Sequence, residues 1–111
     1  MIIINQPLQI KEIRENHANF FDTMVKIVVD TEKAWIALDA ELHSDLEELL
    51  LENESEQENL WGANIYFTNP HDIEFTSLIN IRPGHGNKGM LIENPETKKR
   101  ITEIVKKLIL P

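Results

Sequence analysis

Apolar and polar residues alternate along this chain in two rhythms, and the switches between them define its elements. Met1 to Ile4 is a short β-branched run that predicts a buried strand. Asn5-Gln6-Pro7 breaks it, and Pro7 suits the first turn of a helix. Ile10, Ile13, His17, Phe20 and Phe21 then recur at helical spacing among charged residues, predicting an amphipathic helix from about Pro7 to Ala18 or Phe20. Met24 to Val29 reads as a strand, Asp30 to Lys33 as a polar turn, and Ala34 opens a second strand, giving a hairpin. In that second strand Ile36, Leu38, Ala40 and Leu42 face one way, while Trp35, Ala37, Asp39, Glu41 and His43 face the other.

Ser44 then reads as a helix N-cap, with Glu47 completing a capping box. Leu46, Leu49 and Leu50 form the apolar side of a short helix ending near Glu52. After a polar connector, Leu60 to Phe67 alternates as a strand, and Thr68 to Asp72 is a turn. Ile73 to Arg82 alternates again, so the two stretches are expected to pair as an antiparallel hairpin. Pro83 to Gly89 is glycine-rich, and Asn94-Pro95 starts a last helix with Ile101, Ile104, Val105 and Leu108 on its apolar stripe. The order β-α-β-β-α-β-β-α predicts a single α+β domain over residues 1–111. A mainly antiparallel sheet carries two main helices on one face and a short third helix at the edge, beside a polar face where a site is expected.

Charge sharpens this picture more than composition does. The net charge is -8. From Ala34 to Ile81 there is no Lys or Arg but eleven Asp and Glu, so a polyanion meets repulsion across the middle of the chain and nucleic acid is an unexpected partner. A cation or a basic protein surface is attracted there instead. There is no cysteine, which excludes disulfides and thiolate metal sites and suits a reducing cytoplasm. No apolar run approaches the roughly 18 residues of a membrane span, and the N-terminus lacks the basic flank and long apolar core of a signal peptide. A cytoplasmic location is the expectation.

Three groups of residues carry candidate chemistry. Glu41, His43 and Asp45 combine carboxylates with an imidazole, a set suited to a divalent ion such as Ca, Mn, Fe or Zn, or to general acid–base work. The competing account is a solvated strand face running into a capped helix. Asn64 and Tyr66 are expected to face Asn80 and Arg82 across the second hairpin, offering amide, phenol and guanidinium groups to a ligand. Arg82 to Asn87 forms a glycine-rich loop whose amides, with Asn87, could meet an anion, although it matches no phosphate-binding fingerprint.

Glu41-Leu42-His43-Ser44-Asp45, Leu60-Trp61-Gly62-Ala63-Asn64-Ile65-Tyr66 and Asn80-Ile81-Arg82-Pro83, taken together, are distinctive. Through them nearly the whole chain resembles a small prokaryotic family of similar length whose function is unassigned. The resemblance implies a free-standing domain and brings no reaction, substrate or cofactor with it. From the residues themselves, the leading expectation is a small-ligand or divalent-metal binding domain built on Glu41, His43 and Asp45, with Asn64, Tyr66, Asn80, Arg82 and Asn87 lining it. The alternatives are an acidic protein-interaction or regulatory module without catalysis, and a small metal-assisted hydrolase on the same residues.

Overall fold

A computed structural model describes all 111 residues. Its centre is a five-stranded antiparallel sheet in the order β1-β4-β3-β5-β6, with β1 at Ile2–Ile4, β3 at Met24–Asp30, β4 at Trp35–Leu38, β5 at Leu60–Tyr66 and β6 at Asn69–Glu74. A separate parallel pair, β2 (Leu8–Gln9) with β7 (Ile109–Leu110), clasps the two ends of the chain. Three helices complete the α+β fold: α1 (Ile10–Asn16), α2 (His43–Glu52) and α3 (Pro95–Leu108). No helix is long and apolar enough to cross a membrane.

The large core lies on the face covered by α1 and α3. Val25, Ile27 and Val29 of β3, Ile36 and Leu38 of β4, and Ala63 and Ile65 of β5 supply the sheet side of seventeen buried residues. Ile101, Ile104, Val105 and Leu108 are the helical stripe that the sequence predicts. The α3 N-terminus is as expected: Asn94 Oδ1 accepts from the amides of Glu96 at 2.8 Å and Thr97 at 3.4 Å, and Pro95 follows.

On the opposite face α2 packs across β3 and β4. Leu46 and Leu50 meet Val28, Ala37, Ala40 and Leu60 in a second core of six buried residues. The short helix therefore shields part of the second face as well as bordering it. Cross-strand register explains why it covers only part. The row Ala37–Val28–Gly62 is small and apolar, whereas the row Lys26–Asn64–Glu74 is polar and repels an aliphatic helix.

Several expected boundaries move, each for a local reason. Helix α1 begins at Ile10 rather than Pro7, because Leu8 and Gln9 are drawn into pairing with Ile109 and Leu110. It ends at Asn16, and Asn19 is held by Asp39, whose carboxylate accepts its backbone amide at 2.9 Å and its Nδ2 at 2.6 Å. Strand β4 stops at Leu38, since Asp39 adopts a left-handed φ of 74° that no strand continues through. Consequently Asp39, Glu41 and His43 do not share a strand face. Ser44 is not the N-cap of α2 either: Leu42 holds that position with no side-chain cap, and His43 is the first helical residue.

The second hairpin is also shorter than its pattern suggests. Strand β6 runs from Asn69 to Glu74, opposite Asn64 and Tyr66, so it takes in Asn69–Asp72 of the expected turn, which tightens to Phe67–Thr68, and it does not include Asn80 or Arg82. The chain from Phe75 to Ile92 instead forms tight turns at Leu78–Asn80 and Pro83–His85, joined by single bridges between Thr76 and Leu91 and between Arg82 and Asn87.

Candidate functional site

The sheet's second face meets that irregular segment in an unusual way. Strand β6 pairs with β5 only from Asn64 onward, so the outer edge of Leu60–Ala63 has no strand beside it. Side chains fill the vacancy. Asn80 Oδ1 accepts the Gly62 amide at 2.9 Å, and Asn80 Nδ2 donates to the Gly62 carbonyl at 2.9 Å and to the Met90 carbonyl at 3.1 Å. One carboxamide thus imitates a peptide group of the missing strand. Arg82 Nη2 donates to the Leu60 carbonyl and lies 3.4 Å from Glu47 Oε2, with the guanidinium 4.8 Å from the Trp61 ring. Burial works against the charge on Arg82, and Glu47 favours it.

Asn87 performs the same service for the loop. Its Nδ2 donates to the carbonyls of Asn80 at 2.7 Å and Gly89 at 2.9 Å, while its Oδ1 accepts the Glu93 amide at 2.9 Å. Asn80, Arg82 and Asn87 are therefore committed to holding residues 75–92 against the sheet. The face-to-face arrangement of Asn64 and Tyr66 with Asn80 and Arg82 does not occur, because the strand expected to carry the latter pair ends at Glu74.

Gly62 is what allows the segment to come so close. A Cβ there would lie 2.6 Å from Ser77 Cβ and 3.2 Å from His43 Cδ2. Above it, a cleft of about 340 Å3 opens between the start of α2, the polar row of the sheet and the segment 76–90. His43, Asn64, Ser77 and Lys26 provide its polar lining, and Leu42, Leu78 and Met90 stand exposed around it. This volume falls within the usual range for small-ligand sites.

Two groups in this cleft are chemically conspicuous. The Nε2 of His43 is 2.8 Å from the Ala63 carbonyl, which assigns the proton of the neutral ring to that nitrogen and leaves Nδ1 basic. Burial pushes the His43 pKa below the ordinary 6.5, and Lys26 adds to the depression, while the Ala63 carbonyl and the Asn64 amide oppose it. Asn64 donates through Nδ2 to Glu74 Oε1 at 2.7 Å, so its Oδ1 is the atom directed away from Glu74, and that oxygen is buried with no hydrogen-bond partner. A buried carbonyl left unpaired is uncommon and costly, and such atoms concentrate where something else completes them.

Of the residues singled out from the sequence, His43 and Asn64 are brought together in the cleft. Tyr66 lies just outside it, its hydroxyl 3.3 Å from both oxygens of Glu74, whose charge, helped by burial and the hydrogen bond, raises the phenol pKa. Glu41 and Asp45 are exposed. Asp45 is two residues from His43 on α2, a spacing that points side chains apart, so the expected Glu41–His43–Asp45 triad is not assembled. No group of three or more His, Asp or Glu side chains is placed to hold a metal ion. Ser77 does not form an activated nucleophile with His43, since its Oγ accepts the Ile79 amide at 3.3 Å and it is the carbon edge of the imidazole that approaches the same place over Gly62.

Lys26, Ser77 and the apolar rim went unrecognised in the sequence. Two signals pointed to them: a lone glycine inside a strand, which marks close approach, and the polar Lys26 in an otherwise apolar strand. Neither a curated protein nor a solved structure matches the chain. The family described as protein of unknown function, DUF5674, matches residues 2–108. With all but four residues of the chain inside that match, the protein belongs to the DUF5674 family.

Proposed function

We propose that the cleft over Gly62 binds a small molecule with a polar head and an apolar body. The observation that carries this is the unpaired Oδ1 of Asn64 beside a neutral imidazole, beneath the exposed side chains of Leu42, Leu78 and Met90. A ligand N–H or O–H would complete Asn64, a donor could engage the basic Nδ1 of His43, and the body would cover the rim. Burying that rim is worth about 25 cal/mol per Å2 of apolar surface, which favours an amphipathic ligand over a bare ion. The divalent-ion version of the site would rest on His43 alone, with Glu41 and Asp45 requiring a rearrangement to join it.

The test is an NMR titration of the 15N-labelled chain with a library of small amphipathic molecules and, separately, with Ca, Mn and Zn. Saturable shifts of the Gly62, Asn64 and Ser77 amides that vanish in Asn64→Leu support the reading. Organic probes that leave these amides unmoved at millimolar concentration would sink it, and metal-induced shifts at Glu41, His43 and Asp45 would replace it with the ion version. Leu78, 71% exposed, also suits a protein partner; stoichiometric capture of a basic protein lost in Leu78→Asp, with no small-molecule binding, would establish an interaction module.

A further inference from the structure

The largest cavity lies away from this cleft. It has a volume of about 500 Å3 and opens between the turn joining β3 to β4 and the exposed side of α3. Its lining reverses the character of the molecule. In a chain of net charge -8, Lys33 from the turn and Arg100 and Lys107 from α3 line one concavity, with Asn5 beside them. Arg100, Glu103 and Lys107 are spaced three and four residues apart, so all three lie along one strip of the helix. The cavity floor is apolar, formed by the buried side chains of Ile104 and Leu108.

Two features turn this cluster into more than a solvated helix face. Arg100 Nε donates to the Thr31 carbonyl at 3.0 Å, which fixes the guanidinium against the turn and leaves both Nη groups for another acceptor. None of the three cations has a carboxylate within 4.0 Å; the ion pairs of the structure are Lys11–Glu15 and Arg82–Glu47. Glu103 has the spacing to pair with Arg100 or Lys107 and pairs with neither. Lys33 borders the cavity, but its Nζ turns to the end of α2, 4.7 Å from the Trp35 ring and 3.3 Å from the Asn53 carbonyl. The α3 side of the cavity carries the two positive charges of Arg100 and Lys107 against the one negative charge of Glu103.

We infer that this cavity binds a phosphorylated small molecule, with the phosphate held by Arg100 and Lys107. A guanidinium with one edge anchored and its fork free matches phosphate oxygens in pairs, and the lysine ammonium supplies point charge. The floor of Ile104 and Leu108 accepts the remainder of the molecule. A long polyanion fits poorly, because the carboxylates that dominate the rest of the surface repel whatever extends past the cavity.

The experiment is a titration of the full chain, by NMR and calorimetry, with inorganic pyrophosphate and a nucleoside diphosphate. Parallel arms use a short DNA duplex and vesicles containing phosphatidylserine. The expected result is saturable binding of the soluble phosphates with shifts of the Arg100 Nε–H and the Thr31 and Lys107 amides. Arg100→Gln and Lys107→Gln should each weaken it by about tenfold or more, the scale of one charge-assisted hydrogen bond. Arg100→Lys should fall between, and Glu103→Gln should tighten it. All three side chains are exposed, and circular dichroism confirms that each variant is folded before titration. Absence of saturable shifts at about 10 mM pyrophosphate, a value far above useful affinity, overturns the inference. So does unchanged binding in Arg100→Gln, or tighter binding of the duplex or the vesicles than of the soluble phosphates.

Discussion

The two faces of one sheet are built to different standards. Toward α1 and α3 the sheet presents aliphatic side chains, and seventeen buried residues form a continuous apolar core. Toward α2 the buried apolar cluster has six members, and the rest of the interior is polar: His43, Asn64, Ser77, Asn80 and Asn87 are all buried on that side. The first face wins its stability from area removed from water. The second depends on hydrogen bonds whose geometry must be right, and it leaves Asn64 Oδ1 and Arg82 Nη1 without partners. A large core on one side lets the other retain groups that a marginal fold could not carry.

Substitutions can break this contrast. Ile27→Ala opens a cavity in the large core and should cost about 2–5 kcal/mol in urea unfolding. A loss no greater than that of a surface variant would show that the first face is not the stabilising one. Asn80→Ala strips the Gly62 amide and carbonyl and the Met90 carbonyl of a partner, at roughly 1–3 kcal/mol for each group left dry. Hydrogen exchange should localise the damage to Leu60–Ala63 and residues 77–92, with β1, β3 and β4 still protected. Gly62→Ala forces Ser77 and His43 away from the sheet and should cost about 1–3 kcal/mol, the scale of overpacking. Its signature is a large shift of the His43 ring protons.

Two titrations sharpen the comparison further. His43 has a folded-state pKa below its unfolded value of 6.5, so the unfolded chain takes up the proton first. Its contribution is therefore intact above 6.5 and is lost as the pH falls through 6.5 toward the folded value. Urea midpoints measured from pH 8 downward should show an acid-side loss that is smaller in His43→Gln, the carboxylates being common to both (the pH 8 starting point is about 1.5 units above the ordinary His value). The smallest effect is on Tyr66: Glu74→Gln removes the charge that raises the phenol pKa, and ultraviolet titration should find it nearer 10.0. An unchanged phenol would show that Glu74 does not govern the polar row beside the cleft.

How much of this was legible depends on the reach of each interaction. The Asn94-Pro95 cap, the α3 stripe and the turn of the β3–β4 hairpin come from contacts between near neighbours, and each stands where the pattern put it, although β4 stops early at Leu38. The α+β class follows from the same rhythms. Alternation from Ile73 to Arg82 was misleading because it was satisfied another way: Ile79 packs toward the α2 core and Asn80 bonds β5 from a tight turn. Among the candidate site residues, His43 and Asn64 share a cleft only because α2 begins at His43 rather than Ser44, and because register places Asn64 next to Lys26. Asn80, Arg82 and Asn87 were expected to line a ligand site, and the structure gives them backbone partners within the protein, with Glu47 beside Arg82.

The sequence by itself determined the three helices, the strands at Ile2–Ile4, Met24–Asp30, Trp35–Leu38 and Leu60–Tyr66 to within a few residues at their ends, and how the charge divides along the chain. These follow from periodicity, capping chemistry and composition, all of which act within a few residues. Only the tertiary structure decided which polar residues would be consumed as structural pins and which would be left unpaired. That choice turns on where β6 stops and which edge of β5 it leaves bare, and hydrogen-bond satisfaction is settled only when segments distant in sequence meet.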